Sequence, residues 1–178
     1  AAKDLLEQGP SIVARRISAG QWAPIPIGEA VEAALSVPGV VSARPRIWGT
    51  VRGPDGPVTI VGRIGTASEN TENAPAPISF PMRGEAIIGP GALSEYGDEK
   101  DAKTSLNLRG EKSLSLKTAG EFDPKHSIAV HDVVLLHEDD ARELLGLSPG
   151  FASDLAIGVF HAQETEAILP ELANAFPW

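Results

Sequence analysis

Ser127 to Phe160 reads SIAVHDVVLLHEDDARELLGLSPGFASDLAIGVF, a strand, a helix, a turn and a second strand in one phrase. Ile128, Val130, Val133, Val134, Leu135 and Leu136 form an apolar, β-branched run too short for an independent helix, which predicts a buried strand closed by His137. Glu138, Asp139 and Asp140 then crowd three carboxylates into a first helical turn, where unpaired backbone N–H groups and the positive end of the helix dipole favour negative charge. Leu144, Leu145 and Leu147 supply the apolar face. Gly146 and the Ser148-Pro149-Gly150 turn end the helix, because glycine takes the left-handed cap conformation and proline cannot continue the ladder. Leu155, Ile157 and Val159, alternating with Ala156 and Gly158, predict the second strand.

Outward from this stretch the chain continues to alternate elements. Ser11 to Ile17 sets Ile12, Val13 and Ile17 around Arg15 and Arg16, a strand with its charges turned outward or toward an edge. Ile27, Val31 and Leu35 recur at helical spacing, with Pro26 in the first turn, Glu29 and Glu32 opposite, and Pro38-Gly39 as the stop. Val40 opens an extended segment through Arg44, Arg46, Trp48 and Val51, and Gly53-Pro54-Asp55-Gly56 turns it back as a hairpin into Val58, Ile60 and Gly62. Thr66 to Pro81, TASENTENAPAPISFP, is polar and aperiodic, a long surface loop and a subdomain boundary. Gly84 to Gly89 resumes a short strand, Ala92, Leu93 and Tyr96 predict one or two helical turns, and Leu106, Leu108, Leu114 and Leu116 flank a second hairpin turn at Arg109 to Lys112. Ile168, Leu172 and Phe176 mark one face of a last helix, in which Pro170 is expected near the start because an interior proline costs about 3 kcal/mol. The order predicts an α+β fold with an inserted, mostly β subdomain.

At 178 residues the chain can bury a real core without metal or disulfide, and its lack of cysteine excludes thiol chemistry. A formal charge of −9, with Arg15-Arg16 as the densest basic pair, argues against nucleic acid as a partner. Nothing resembles a signal peptide, and no apolar stretch approaches the roughly 20 residues that span a bilayer. The start without methionine and the end at Phe176-Pro177-Trp178 fit a piece of a longer protein.

Candidate chemistry is thin. No Gly-x-Ser-x-Gly elbow or Gly-x-x-x-x-Gly-Lys loop occurs, and Gly89-Pro90-Gly91-Ala92-Leu93-Ser94 fails the dinucleotide fingerprint at its last glycine. His126, His131 and His137 with Asp132, Glu138, Asp139 and Asp140 are the best donors for a metal. His131 and His137, however, lie about 20 Å apart along an extended strand, and the helix dipole already accounts for the acids. Arg44, Arg46 and Trp48 fall on one strand face, either an anionic or aromatic contact patch or, as expected, wet strand decoration, and Trp22 beside Pro24 and Pro26 is either a partner contact or, as expected, a packed loop anchor. Glu29 with Glu32, and Glu164 with Glu166, read as solvated helical carboxylates. No residue is assigned a catalytic, cofactor-binding or metal-binding role, and no cofactor is expected.

Val37-Pro38-Gly39-Val40, Gly84-Glu85-Ala86-Ile87-Ile88-Gly89 and His131-Asp132-Val133-Val134-Leu135-Leu136 leading to Leu144-Leu145-Gly146, in this order, resemble the extracytoplasmic core domain of FtsX-like and MacB-type ABC transporter permeases. The resemblance implies a non-catalytic, extracytoplasmic (periplasmic) domain between the first and second membrane helices of an inner-membrane permease. It implies a split porter-like α/β part, residues 11–64 and 120–176, around an inserted β-rich part, residues 65–119. It also implies a cytoplasmic ABC ATPase that hydrolyses ATP, a second permease copy forming a dimer, and contact with a periplasmic adaptor or substrate protein. The output would be export, lipoprotein release or mechanical signalling. One membrane helix would precede Ala1 and three would follow Trp178, an aromatic suited to the membrane interface. The alternative is a free-standing periplasmic module that binds a metal or small anion through the histidine–carboxylate cluster.

Overall fold

The structure, a computed structural model, describes residues 12–63, 80–92, 105–122 and 131–178. The expectations for Ser11, for residues 64–79, for Leu93 and Tyr96, and for His126 and Ile128 to Val130 lie outside the described residues. The chain is α+β and divides into two units, one from Gln8–Arg46 with Leu147–Trp178, the other from Ile47–Gly146.

In the first, split unit, β1 (Ile12–Ala14) pairs antiparallel with the strand Asp154–Val159, which pairs in turn with the first part of a long strand, Val40–Arg52. Ile12 stands opposite Ile157, and Leu155 shares that face. Helix α1 (Ile27–Leu35) and the C-terminal helix Thr165–Ala175 cover it, closing a core of Ile12, Ile25, Ala30, Ala34, Val37, Leu155, Ile157, Ile168 and Leu172. The expected Ile27, Val31 and Leu35 stripe is displaced: Ala30 and Ala34 are fully buried, Ile27 and Val31 half-buried, and Leu35 is 50% exposed. Rotation follows from how the chain enters the helix. Ile25–Pro26 bridges to Phe151–Ala152, Pro26 becomes the N-cap, and the Ile27 N–H donates to the Gly150 carbonyl at 2.8 Å. With that entry set, two alanines one turn apart let the helix backbone approach the sheet closely.

The expected strand Ser11 to Ile17 is broken at Arg15. Beyond it, β2 (Arg16–Ser18) and β3 (Gln21–Ala23) form a separate hairpin around Ala19 and Gly20, both at positive φ, as a two-residue hairpin turn requires.

In the second unit the rest of the long strand, here β5 (Val40–Arg52) after β4 (Ile25–Pro26), pairs antiparallel with β6 (Pro57–Arg63) around the expected turn, where the Gly53 N–H donates to the Gly56 carbonyl at 2.7 Å. β6 runs parallel to β10 (Val133–His137), and β10 antiparallel to β7 (Glu85–Ile88). β7 is parallel to β9 (Ser113–Glu121), which forms the second expected hairpin with β8 (Ser105–Arg109). One further pair, Arg52 with Arg109, returns β8 to β5, so the order β5-β6-β10-β7-β9-β8 closes on itself as a small barrel. Ile47, Ile60, Ile88, Leu106, Leu108, Leu116, Val134 and Leu136 are fully buried in this unit. Helix α2 (Glu138–Leu145) lies over Gly62, where a Cβ would stand only 2.5 Å from that of Ala141. It ends as expected at Gly146, φ +66°, whose N–H bonds to the Arg142 carbonyl. The described part of the expected Ile128–Leu136 strand begins only at Val133, with His131 and Asp132 in a turn whose carbonyls accept from Gly91 and Thr59.

After α2 come β11 (Phe151–Ala152), β12 (Asp154–Val159) and α3 (Thr165–Ala175). Ile168 and Leu172 are buried and Phe176 half-buried, the expected face, but Pro170 is interior to α3 rather than near its start. It lies on the exposed side, so water can reach the Glu166 carbonyl that its missing N–H leaves free. The units observed are 8–46 with 147–178 and 47–146, where the sequence suggested 11–64 with 120–176 and 65–119.

Candidate functional site

The start of α2 in the second unit is where the sequence concentrates its metal-type donors, and there the side chains hold backbone instead. His137 is the N-cap, its Nδ1 accepting the Asp139 N–H at 3.2 Å. Asp140, buried, accepts the Gly84 N–H at 2.7 Å with Arg83 at 3.6 Å, so it ties α2 to the turn before β7. Arg142 reaches back one turn to Glu138 at 2.9 Å, and Glu143 takes Lys112 from the β8–β9 hairpin at 3.1 Å. His131 is apart from this lattice, in the turn before β10, exposed and 3.9 Å from Asp132. Among the described residues, no three His, Cys, Asp or Glu side chains come close enough to hold a metal ion. The arrangement fastens a helix to a barrel.

The split unit contains a different constellation, built on Asp154. This residue begins β12 opposite Arg46 of β5, and the register places the two side chains side by side. The Arg46 guanidinium grips the carboxylate with both prongs, Nε to Oδ1 and Nη2 to Oδ2, each at 2.7 Å. Asp154 is fully buried while the Arg46 side chain is 37% exposed, so the expected wet face of Arg44, Arg46 and Trp48 is interrupted by a half-buried ion pair. Arg15 approaches the same carboxylate at 3.6 Å, and its guanidinium lies over the Trp22 ring at 5.0 Å. Asp154 thus orients, through Arg15, an indole on the β2–β3 hairpin.

That indole faces solvent. Trp22, expected to pack, is 66% exposed, and Ile17, its cross-strand partner, is 64% exposed. Arg16 on the same hairpin lies over Trp178 at 5.7 Å, and Trp178 stacks on Phe176 at 5.4 Å. Ile17, Trp22 and Trp178 with Arg15 and Arg16 make an aromatic and basic surface on a chain of net charge −9. Tryptophan and arginine are the residues that dominate contact energetics at protein interfaces, so what this surface offers is binding rather than bond-making. Sequence reasoning favoured packing over a partner contact for Trp22 because a lone Trp near prolines looks the same whether buried or presented. The signal present was Ala19-Gly20, a turn midway between Ile17 and Trp22 that places them opposite each other.

Among the described residues, no helix is long and apolar enough to cross a membrane. No protein-family model matches the chain. No curated protein matches it either. Among solved structures, it is similar to the extracellular domain of the noncanonic ABC-type transporter YknZ from Gram-positive bacteria, with a TM-score of 0.53 and 10% sequence identity, over 92% of this chain and 90% of that one. At that identity the likeness is one of architecture: the α+β fold of this chain is the fold of an extracellular domain from an ABC-type transporter.

Proposed function

We propose that this chain is the extracytoplasmic domain of an FtsX-like or MacB-type ABC transporter permease. The observation that carries the reading is the fold likeness to the YknZ extracellular domain over nearly the whole of both chains, and the resemblance of the sequence phrases around Val37, Gly84 and His131 to FtsX-like and MacB-type permeases supports the narrower family. The domain performs no chemistry. ATP is hydrolysed by a separate cytoplasmic ATPase, and the membrane helices of the permease pass that movement to this domain. It works beside a second copy and acts outside the membrane on a substrate or an adaptor. The surface of Ile17, Trp22 and Trp178 is where a partner protein is contacted.

The test uses the full-length protein. Its gene should encode one membrane helix before this domain and three after it, and the purified protein should bring down an ATPase with Walker motifs. Trp22→Ala together with Ile17→Ser should abolish export or release while leaving the basal ATPase rate unchanged. Soluble flanking sequence, or no associated ATPase, would sink the reading.

A further inference from the structure

Arg52 and Arg109 stand directly opposite each other at the one pairing through which β8 returns to β5 and the barrel closes. Val51 and Leu108, the residues before them, are buried, so alternation along each strand turns both arginines to the outer surface, where both are exposed. Like charges directly opposite on antiparallel strands destabilise the pair. Elsewhere on this acidic chain Arg15, Arg46, Arg83, Arg142 and Lys112 each meet a carboxylate, but among the described residues no carboxylate pairs with Arg52 or Arg109. The two arginines line a concavity of about 460 Å³. Thr50, two residues before Arg52 on the same outward face of β5, lines it with a hydroxyl, and Pro57 adds apolar wall.

We propose that Arg52 and Arg109 hold a phosphate-class oxyanion in this concavity, bridging the barrel seam. A guanidinium presents its N–H donors as a rigid planar fork matched to oxyanion geometry, and one doubly charged tetrahedral anion can satisfy two forks at once. Binding turns the repulsion across the closing pair into attraction through a shared counter-ion, so the site and the seam stabilise together. The arginine pair is open to solvent, so the same oxyanion chemistry is offered by a soluble phosphomonoester and by the headgroup of an anionic phospholipid. The assignment does not depend on the transporter reading.

The experiment compares wild type, Arg52→Gln and Arg109→Gln in thermal unfolding and calorimetry, with inorganic phosphate against sodium chloride at matched ionic strength. Wild type should gain melting temperature saturably with phosphate. The glutamine variants should melt higher than wild type in chloride alone, because the repulsion is gone, and should bind phosphate at least roughly tenfold more weakly. Arg109→Lys, which keeps the charge but not the fork, should bind between wild type and Arg109→Gln. Vesicles of phosphatidylglycerol against phosphatidylcholine separate the two sources: arginine-dependent sedimentation with the former assigns a lipid headgroup, and phosphate binding without it assigns a soluble ester. A phosphate response equal to that of chloride, or one retained in both glutamine variants, overturns the proposal.

Discussion

Asp154 carries the largest single-residue consequence. Its carboxylate is fully buried, whereas Arg46 keeps a third of its side chain in solvent, so the two halves of the pair are not equivalent. Arg46→Ala removes the two-pronged partner of a buried charge that Arg15 approaches only at 3.6 Å, and is expected to cost about 3 kcal/mol in urea unfolding. Asp154→Asn leaves a guanidinium that water can still reach, and it should cost less. It should also loosen Arg15 from Trp22, read as a change in the indole fluorescence of that variant relative to Arg46→Lys. In the barrel unit, His137→Ala removes the side-chain acceptor for the Asp139 N–H and should lower stability by about 0.5–1 kcal/mol. The sequence made the acidic first turn legible. It could not show that His137 caps the helix, because a histidine is an uncommon cap and its ring must reach forward into the first turn to do it.

For the elements, helix existence was written in the periodicity, but helix rotation was not. Ile27, Val31 and Leu35 have the stronger hydrophobicity, yet Ala30 and Ala34 face the core, because the β4–β11 bridge and the Ile27 to Gly150 hydrogen bond orient α1 before its side chains can. Ala34→Leu is therefore expected to destabilise by about 1–3 kcal/mol through overpacking, and Leu35→Ala by no more than about 0.5 kcal/mol, both measured by chemical denaturation. Pro170 makes the opposite case. It interrupts α3 on its exposed side, so Pro170→Ala restores a hydrogen bond to the Glu166 carbonyl at a site with room for it and should raise stability by about 1 kcal/mol or more, net of the greater freedom of the unfolded chain. The two hairpins, Gly53 to Gly56 and Arg109 to Lys112, were readable because turn residues and flanking alternation agree there. The β2–β3 hairpin was not, since its six paired residues are too few to display a period.

Across the whole molecule, donors that crowd together in sequence are separated in function. His131 sits in a turn and His137 at a helix cap, so titration with zinc is expected to give isotherms that His131→Ala and His137→Ala leave unchanged; a histidine-dependent micromolar site would restore the metal-binding alternative. Composition and local pattern determined the α+β class, the absence of nucleotide and hydrolase motifs, the strand–helix–strand phrase around α2 and the burial of Ile168 and Leu172. These depend on neighbours a few residues away, whose periodicity a chain displays whether folded or not. Only the tertiary structure decided that strands 57–63, 85–88, 105–109, 113–121 and 133–137 close with β5 into a barrel, that Arg46 meets Asp154 across 108 residues, and that Arg52 faces Arg109 at the seam. Register between distant strands is set by the sum of many weak pairings and by closure of the sheet, and no single residue carries that sum in its own sequence context.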